Sequence, residues 1–170
     1  MDAGHAEAET TVRAEGGAYV EYVPDPTILH DAARYESDTE LHVAEDGAAV
    51  VSDIVVAGRR AHGESFGFDT YRSSVTGRSG GSLLFDDTTE VADPSEAGRS
   101  KVTFDGWAVF GDLYVVAPGE DAEELREDIA SSVRAADASG AEAGVTELPN
   151  GAGTVVRFVS DSTAAAREIK

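Results

Sequence analysis

Apolar and polar residues alternate with a period of two along most of the chain as far as Val116. "TTVRAEGGAYVEYV" alternates on either side of Gly16-Gly17. "TELHVAEDGAAVVSDIVVAG" gives two such runs around Asp46-Gly47, and "SVTGRSGGSLLFDDTTEV" two more around Gly80-Gly81. Alternation turns one side of an extended chain toward a core, and paired glycines or Asp-Gly supply turns, so successive antiparallel hairpins are expected. "SKVTFDGWAVFGDLYVVAP" continues the series with Asp105-Gly106 as a further hairpin turn, places Trp107 and Phe110 in the core, and stops at Pro118-Gly119.

The period then changes. In "EDAEELREDIASSVRAADASG", Leu125, Ile129, Val133 and Ala136 recur at helical spacing, acidic residues crowd the first turn and Gly140 follows the end, which predicts an amphipathic helix. A strand around "GVTELP", a turn at Pro149-Asn150-Gly151, a strand "GTVVRFVS" and a short helix in "DSTAAAREIK" complete the pattern. So short a helix needs tertiary packing to persist, and the chain reads as cut short at this end. The expected class is mainly β with two C-terminal helices, in a single domain over residues 1–170.

"VEYVPDPTILHDAARY", from Val20 to Tyr35, departs from simple alternation. Pro24 and Pro26 fix their own backbones and push Val23 and Asp25 toward extended conformations, which excludes a helix and predicts a stiff corner between two strand-like segments. No catalytic constellation sits in it, so its expected role is contact and scaffolding.

Composition narrows the function classes. Asp and Glu number 33 against 13 Lys and Arg, a formal net charge of -20. A field of that sign repels phosphate backbones and anionic lipid, so nucleic acid and membrane surfaces are excluded as partners. The lysines are only Lys101 and Lys170, and the acidic residues are spread over the whole chain, as in the proteins of a salt-accumulating halophile. Cysteine is absent, which removes disulfides and thiolate metal sites. No apolar run is long enough for a membrane span, and "MDAGHAEAETT" lacks the basic and apolar regions of a signal peptide, so a cytoplasmic location is expected.

Candidate chemistry is sparse. Gly63-Glu64-Ser65-Phe66-Gly67 matches the G-x-S-x-G elbow formally, but the elbow needs a strand-to-helix turn and a histidine that follows the serine. Here His5, His30, His42 and His62 all precede Ser65, and "FDTYRSSVTG" after it is strand-like, so a serine hydrolase is a disfavoured alternative. The histidines form no H-x-H or H-x3-H pair. His30, beside Asp31, is the best imidazole candidate for a metal such as nickel, set against a plain solvated polar pair. Arg34, Arg59 and Arg60 are expected in structural ion pairs, with interface contact as the second possibility. Tyr19, Tyr22, Tyr35, Phe66, Phe68 and Tyr71 are expected mostly in the core, with rim tyrosines as partner anchors. A β-rich binding module of unknown ligand is a further alternative.

"EYVPDPTILHDAARY" followed by "VVAGRRAHGESF" resembles the UreD family of urease accessory proteins, which carry a P-x-x-T-I stretch ending in A-R and a later G-R-x-A-x-G-E-x-F. The closing "LPNGAGTVVRFVSDS" is also similar to that family's C-terminal part. The matching positions are Pro24, Thr27, Ile28, Arg34, Gly58, Arg59, Gly63, Glu64 and Phe66. The family's opening strands, with a G-G-D and a T-T-Q stretch, have no counterpart, so the chain looks like the later two-thirds of a member. His30 stands where the family usually has an aromatic residue.

The resemblance implies a helicoidal, two-layered β fold and no enzymatic activity. It implies partners UreF, the GTPase UreG and urease apoprotein, with a homodimer in the complex as one arrangement. It also implies nickel passing transiently through the protein, with no stably bound cofactor. Glu64 is the candidate ion-facing carboxylate, and a structural ion pair with Arg59 or Arg60 is its equal alternative.

Overall fold

The computed structural model describes residues 4–58, 65–92, 106–136 and 139–169. Strands β1 (His5–Ala14), β4 (Arg34–Val43), β6 (Thr70–Ser79) and β7 (Ser82–Ala92) form one sheet in the order β1-β4-β6-β7. The second sheet runs β2 (Tyr19–Tyr22), β5 (Ala48–Val56), β8 (Val109–Val116), β10 (Gly153–Ser160), β9 (Ala141–Glu147), and β3 (Thr27–Ile28) continues its β2 edge along β5. The mainly β class, with two helices, is as expected.

The chain coils between the sheets. β1, β4 and β6 run parallel in one, and β2 and β3 run parallel to β5 in the other. The turns at Gly16-Gly17 and Asp46-Gly47 therefore carry the chain from sheet to sheet and close no hairpin, contrary to the expectation from alternation. These corners stack: the Ala44 amide donates to the Ala14 carbonyl at 2.8 Å and the Ala48 amide to the Ala18 carbonyl at 2.9 Å. A period of two fixes which side of a strand is buried and says nothing about which strand lies beside it. The turn at Gly80-Gly81 does close an antiparallel hairpin, β6–β7, and Pro149–Gly151 joins antiparallel β9 and β10. Asp105 lies outside the described residues, so the hairpin expected at Asp105-Gly106 does too.

The proline corner is an interruption in an edge strand. Tyr22 pairs with Val51 and Thr27 with Val55, so Val23–Pro26 inserts one residue more than β5 has between the same two points. Prolines cannot donate to a ladder and are tolerated at such an edge.

The predicted amphipathic helix is α1 (Ala122–Ala135). Asp121 caps it, accepting from the amides of Glu123 and Glu124 at 3.0 Å each, and Ile129 and Val133 pack beneath it. The last helix, α2 (Thr163–Ile169), begins at Ser162, whose hydroxyl accepts the Ala165 amide at 3.2 Å. It persists because Ala166 and Ile169 are buried against Val109, Val156 and Phe158. The helices thus cover the outer side of the second sheet, while two apolar clusters fill the space between the sheets. Phe66, Phe68, Tyr71 and Phe110 are buried there as expected; Trp107 is only half-buried.

Candidate functional site

The inter-sheet core is divided by a polar belt. On β5, Val51 belongs to one apolar cluster and Val55 to the other, with Asp53 between them. β8 repeats this with Tyr114, Asp112 and Phe110, β10 with Val155, Arg157 and Val159, and β6 with Val75, Ser73 and Tyr71. On β7, Asp87 and Thr89 lie between Phe85 and Val91. Ladder register aligns the belt, since Asp53 lies opposite Asp112 and Asp112 opposite Arg157.

The belt is bonded across the two sheets. Tyr71 donates its hydroxyl to Asp53 at 2.8 Å, Tyr114 to Asp87 at 2.9 Å, and Thr89 to Asp112 at 3.3 Å. Arg157 donates to Asp87 and, at 3.5 Å, to Asp112. Two carboxylates, Asp87 and Asp112, thus share one guanidinium, with Asp53 next to Asp112 in the row. Burial pushes the Asp112 carboxyl up to about 6, and although Arg157 pulls it down, Asp87 and Asp53 push it further up. Burial raises the Tyr71 and Tyr114 hydroxyls well above the ordinary phenol range, reinforced by the neighbouring carboxylates, so both stay protonated donors.

Both ends of the belt meet solvent. The Arg157 side chain is 46% exposed on one side. At the other end a cleft of about 120 Å³ opens between the sheets, lined by Thr10, Ser37, Thr39 and Asp53 within and by Tyr22, Pro24 and Asp25 at its mouth. Among the described residues no three His, Asp or Glu side chains converge to hold a metal ion. The belt's polar groups run in one row from Asp53 at the cleft through Asp112 to Arg157.

Several of the residues singled out in the sequence line the cleft or the groove beside it. Pro24 and Thr27 line the cleft, and Thr27, Ile28 and Arg34 line a neighbouring groove with His30. His30 is exposed. Arg34 pairs with Asp69 at 3.1 Å, the structural ion pair expected of it. Gly58 is buried with a φ of 109°, which favours glycine. Phe66 is a core residue at a φ of 52°. Arg59, Arg60, Gly63 and Glu64 lie outside the described residues. Ser65 is exposed, and β6 follows it where an elbow needs a helix.

Alternation hid Asp53, Asp112 and Arg157, because a charged residue within a strand passes for an outward one. Their phase was the available signal: each occupies an inward position of a strand whose inward neighbours are apolar.

The profile of the family described as "UreD urease accessory protein" matches residues 1–170. The chain belongs to the UreD family. It is 38% identical over 161 residues to the urease accessory protein UreD of Haloarcula marismortui, covering 95% of this chain and 53% of that protein. It is 39% identical over 162 residues to the UreD of Haloquadratum walsbyi, covering 95% and 52%. UreD 3 of Methylorubrum populi is 38% identical over 168 residues, covering 96% and 53%. The chain therefore spans about half the length of these relatives, and the haloarchaeal matches agree with its acidic composition. Among the described residues of this UreD chain, no helix is long and apolar enough to cross a membrane.

Proposed function

We propose that the chain serves urease maturation in the cytoplasm as a non-enzymatic scaffold, holding UreF and the GTPase UreG on urease apoprotein while nickel is inserted. The observation that carries this reading is the family match over residues 1–170. The fold supports it physically: a stack of two sheets with a helix-covered side presents rigid surfaces, which keeps the ordering cost of docking low.

The polar belt supports a transient role toward nickel. A hydrated divalent ion is passed on most easily by oxygen groups that hold it weakly, and Asp53, Thr10, Ser37 and Thr39 offer such contacts without a closed cage or the imidazole ligands that would hold nickel tightly. Glu64 remains a second candidate carboxylate for the passage.

Urease activation in cells tests the reading. Glu64→Ala and Asp53→Asn are each expected to lower nickel loading of urease while pull-down of UreF is retained. Undiminished loading by both variants removes the carboxylates from the passage, and loss of all association with UreF, UreG and urease by the unaltered chain removes the scaffold itself.

A further inference from the structure

Asn150 is the only asparagine of the chain, and there is no glutamine, in a sequence that holds 33 Asp and Glu. It lies in the turn between β9 and β10 at a φ of 56°, followed by Gly151 at 65°. Aspartate tolerates such a backbone as asparagine does, so the turn alone does not account for the amide. A bond across the stack does. Gly77 pairs with Phe85 and Arg78 with Leu83, which leaves Leu84 as an extra residue of β7, and its carbonyl accepts the Asn150 side-chain amide at 2.6 Å. An ionised carboxylate has no proton to give and cannot make this bond. Leu84, Leu148 and Ala152 pack into one apolar cluster, so the bond ties the two sheets where they already touch.

The same pair of residues carries a reaction. Glycine has no side chain to obstruct its own amide, so the Gly151 nitrogen is free to approach the side-chain carbonyl carbon of Asn150. When the two bond, the nitrogen gives up its proton, the bond from that carbon to Nδ2 breaks, and ammonia leaves with the proton. Water then opens the resulting succinimide at either carbonyl, to aspartate or to isoaspartate. The attack requires the side chain to swing onto the Gly151 nitrogen, and the bond from Nδ2 to Leu84 opposes that swing.

We infer that Asn150 is a site of spontaneous deamidation gated by the fold: its amide survives while the tie to Leu84 holds and is lost when the turn opens. The change is one-way. Aspartate would set a carboxylate against the Leu84 carbonyl, acceptor against acceptor, and isoaspartate would also lengthen the turn by a methylene. Each opening therefore risks releasing the β6–β7 hairpin from the β9–β10 turn for good. The inference goes beyond the urease reading and stands on this bond and on peptide chemistry alone.

The test uses the 170-residue chain, incubated at mildly alkaline pH either folded in concentrated salt or unfolded in urea. Released ammonia is assayed, and peptide mapping locates the conversion of amide to acid and separates aspartate from isoaspartate. With a single side-chain amide in the sequence, any ammonia released by deamidation has one source. The folded chain should convert at least about tenfold more slowly than the unfolded one, as a tie open less than a tenth of the time allows. Leu84→Ala, which loosens β7 beside the accepting carbonyl, should speed conversion of the folded chain and leave the rate in urea unchanged. Asn150→Asp should melt roughly 2–4 °C below the original chain, and Asn150→Gly should release no ammonia.

Equal rates in salt and urea would overturn the inference, since the tie would then protect nothing. So would the absence of conversion in both, or indifference of the folded rate to Leu84→Ala. An Asn150→Asp chain that melts with the original would show that the donated bond holds nothing together. The rate comparison needs only the unaltered chain, so it decides the matter even where a variant fails to fold.

Discussion

Asp53 on β5 stands directly across from Asp112 on β8, and each carboxylate accepts a hydroxyl from the facing sheet, Tyr71 for the one and Thr89 for the other. Like charges opposite each other in a ladder are unfavourable, and more so where water is scarce. The pair is tolerated because one of its members readily takes up a proton and because Arg157 lies next in the row. A charged layer of this kind spends stability that an apolar one would keep, which is the usual mark of a functional constraint.

The protonation of Asp112 has a consequence for folding. Its carboxyl is raised from 3.8 to about 6 in the folded protein, so between these values the native state binds more protons than the unfolded one. Its contribution to stability is therefore greatest at the acid end of this window and falls as pH rises through it, by on the order of 3 kcal/mol in total. Asp112→Asn cannot titrate. The difference in urea-unfolding free energy between the original chain and this variant should fall across that window and be flat above it; a level difference throughout would place Asp112 in a solvated setting.

Arg157 is the only cation bonded to both Asp87 and Asp112 among the described residues. Arg157→Met leaves two half-buried carboxylates facing each other and should cost about 2–3 kcal/mol near neutral pH, toward the lower end of what breaking a buried pair costs because the guanidinium is itself partly exposed. The loss should shrink below the Asp112 midpoint. Adding Asp112→Asn should restore part of it. Purely additive effects in this double-mutant cycle would mean that the two side chains do not interact.

The stacked corners make a prediction that a hairpin would not. A Cβ on Gly47 would lie 2.7 Å from the Ala14 carbonyl oxygen, a backbone atom that cannot move without opening the corner. Gly47→Ala should therefore destabilise by roughly 1–3 kcal/mol. Gly81, at a φ of 84° with open space around it, should lose only about 1 kcal/mol on replacement by alanine, from backbone conformation alone. Thermal melts that rank the two in the opposite order would contradict the coil between sheets.

A net charge of -20 predicts dependence on salt. In concentrated salt the Debye length falls to roughly 3 Å and self-repulsion is screened, whereas in dilute buffer it is not. Circular dichroism during dialysis to low salt should record loss of β structure, and recovery when salt is restored. An unchanged spectrum would count against adaptation to a saline cytosol.

The sequence by itself determined the elements: which runs are strands, where α1 begins, and that Val23–Pro26 cannot be helical. These are local facts, set by side-chain period, capping groups and fixed proline backbones. It also placed the surface chemistry, since charge needs no fold to be counted, and three ordered motifs sufficed for the family. Tertiary structure decided the rest. Gly16-Gly17 and Asp46-Gly47 look like hairpin turns until the parallel partners of β1 and β5 are known, because alternation records burial and never the neighbour. Asp53, Asp112 and Arg157 form one row only when three strands remote in sequence lie in register. A long-range contact of that kind depends on the packing of the whole chain, and no local pattern encodes it.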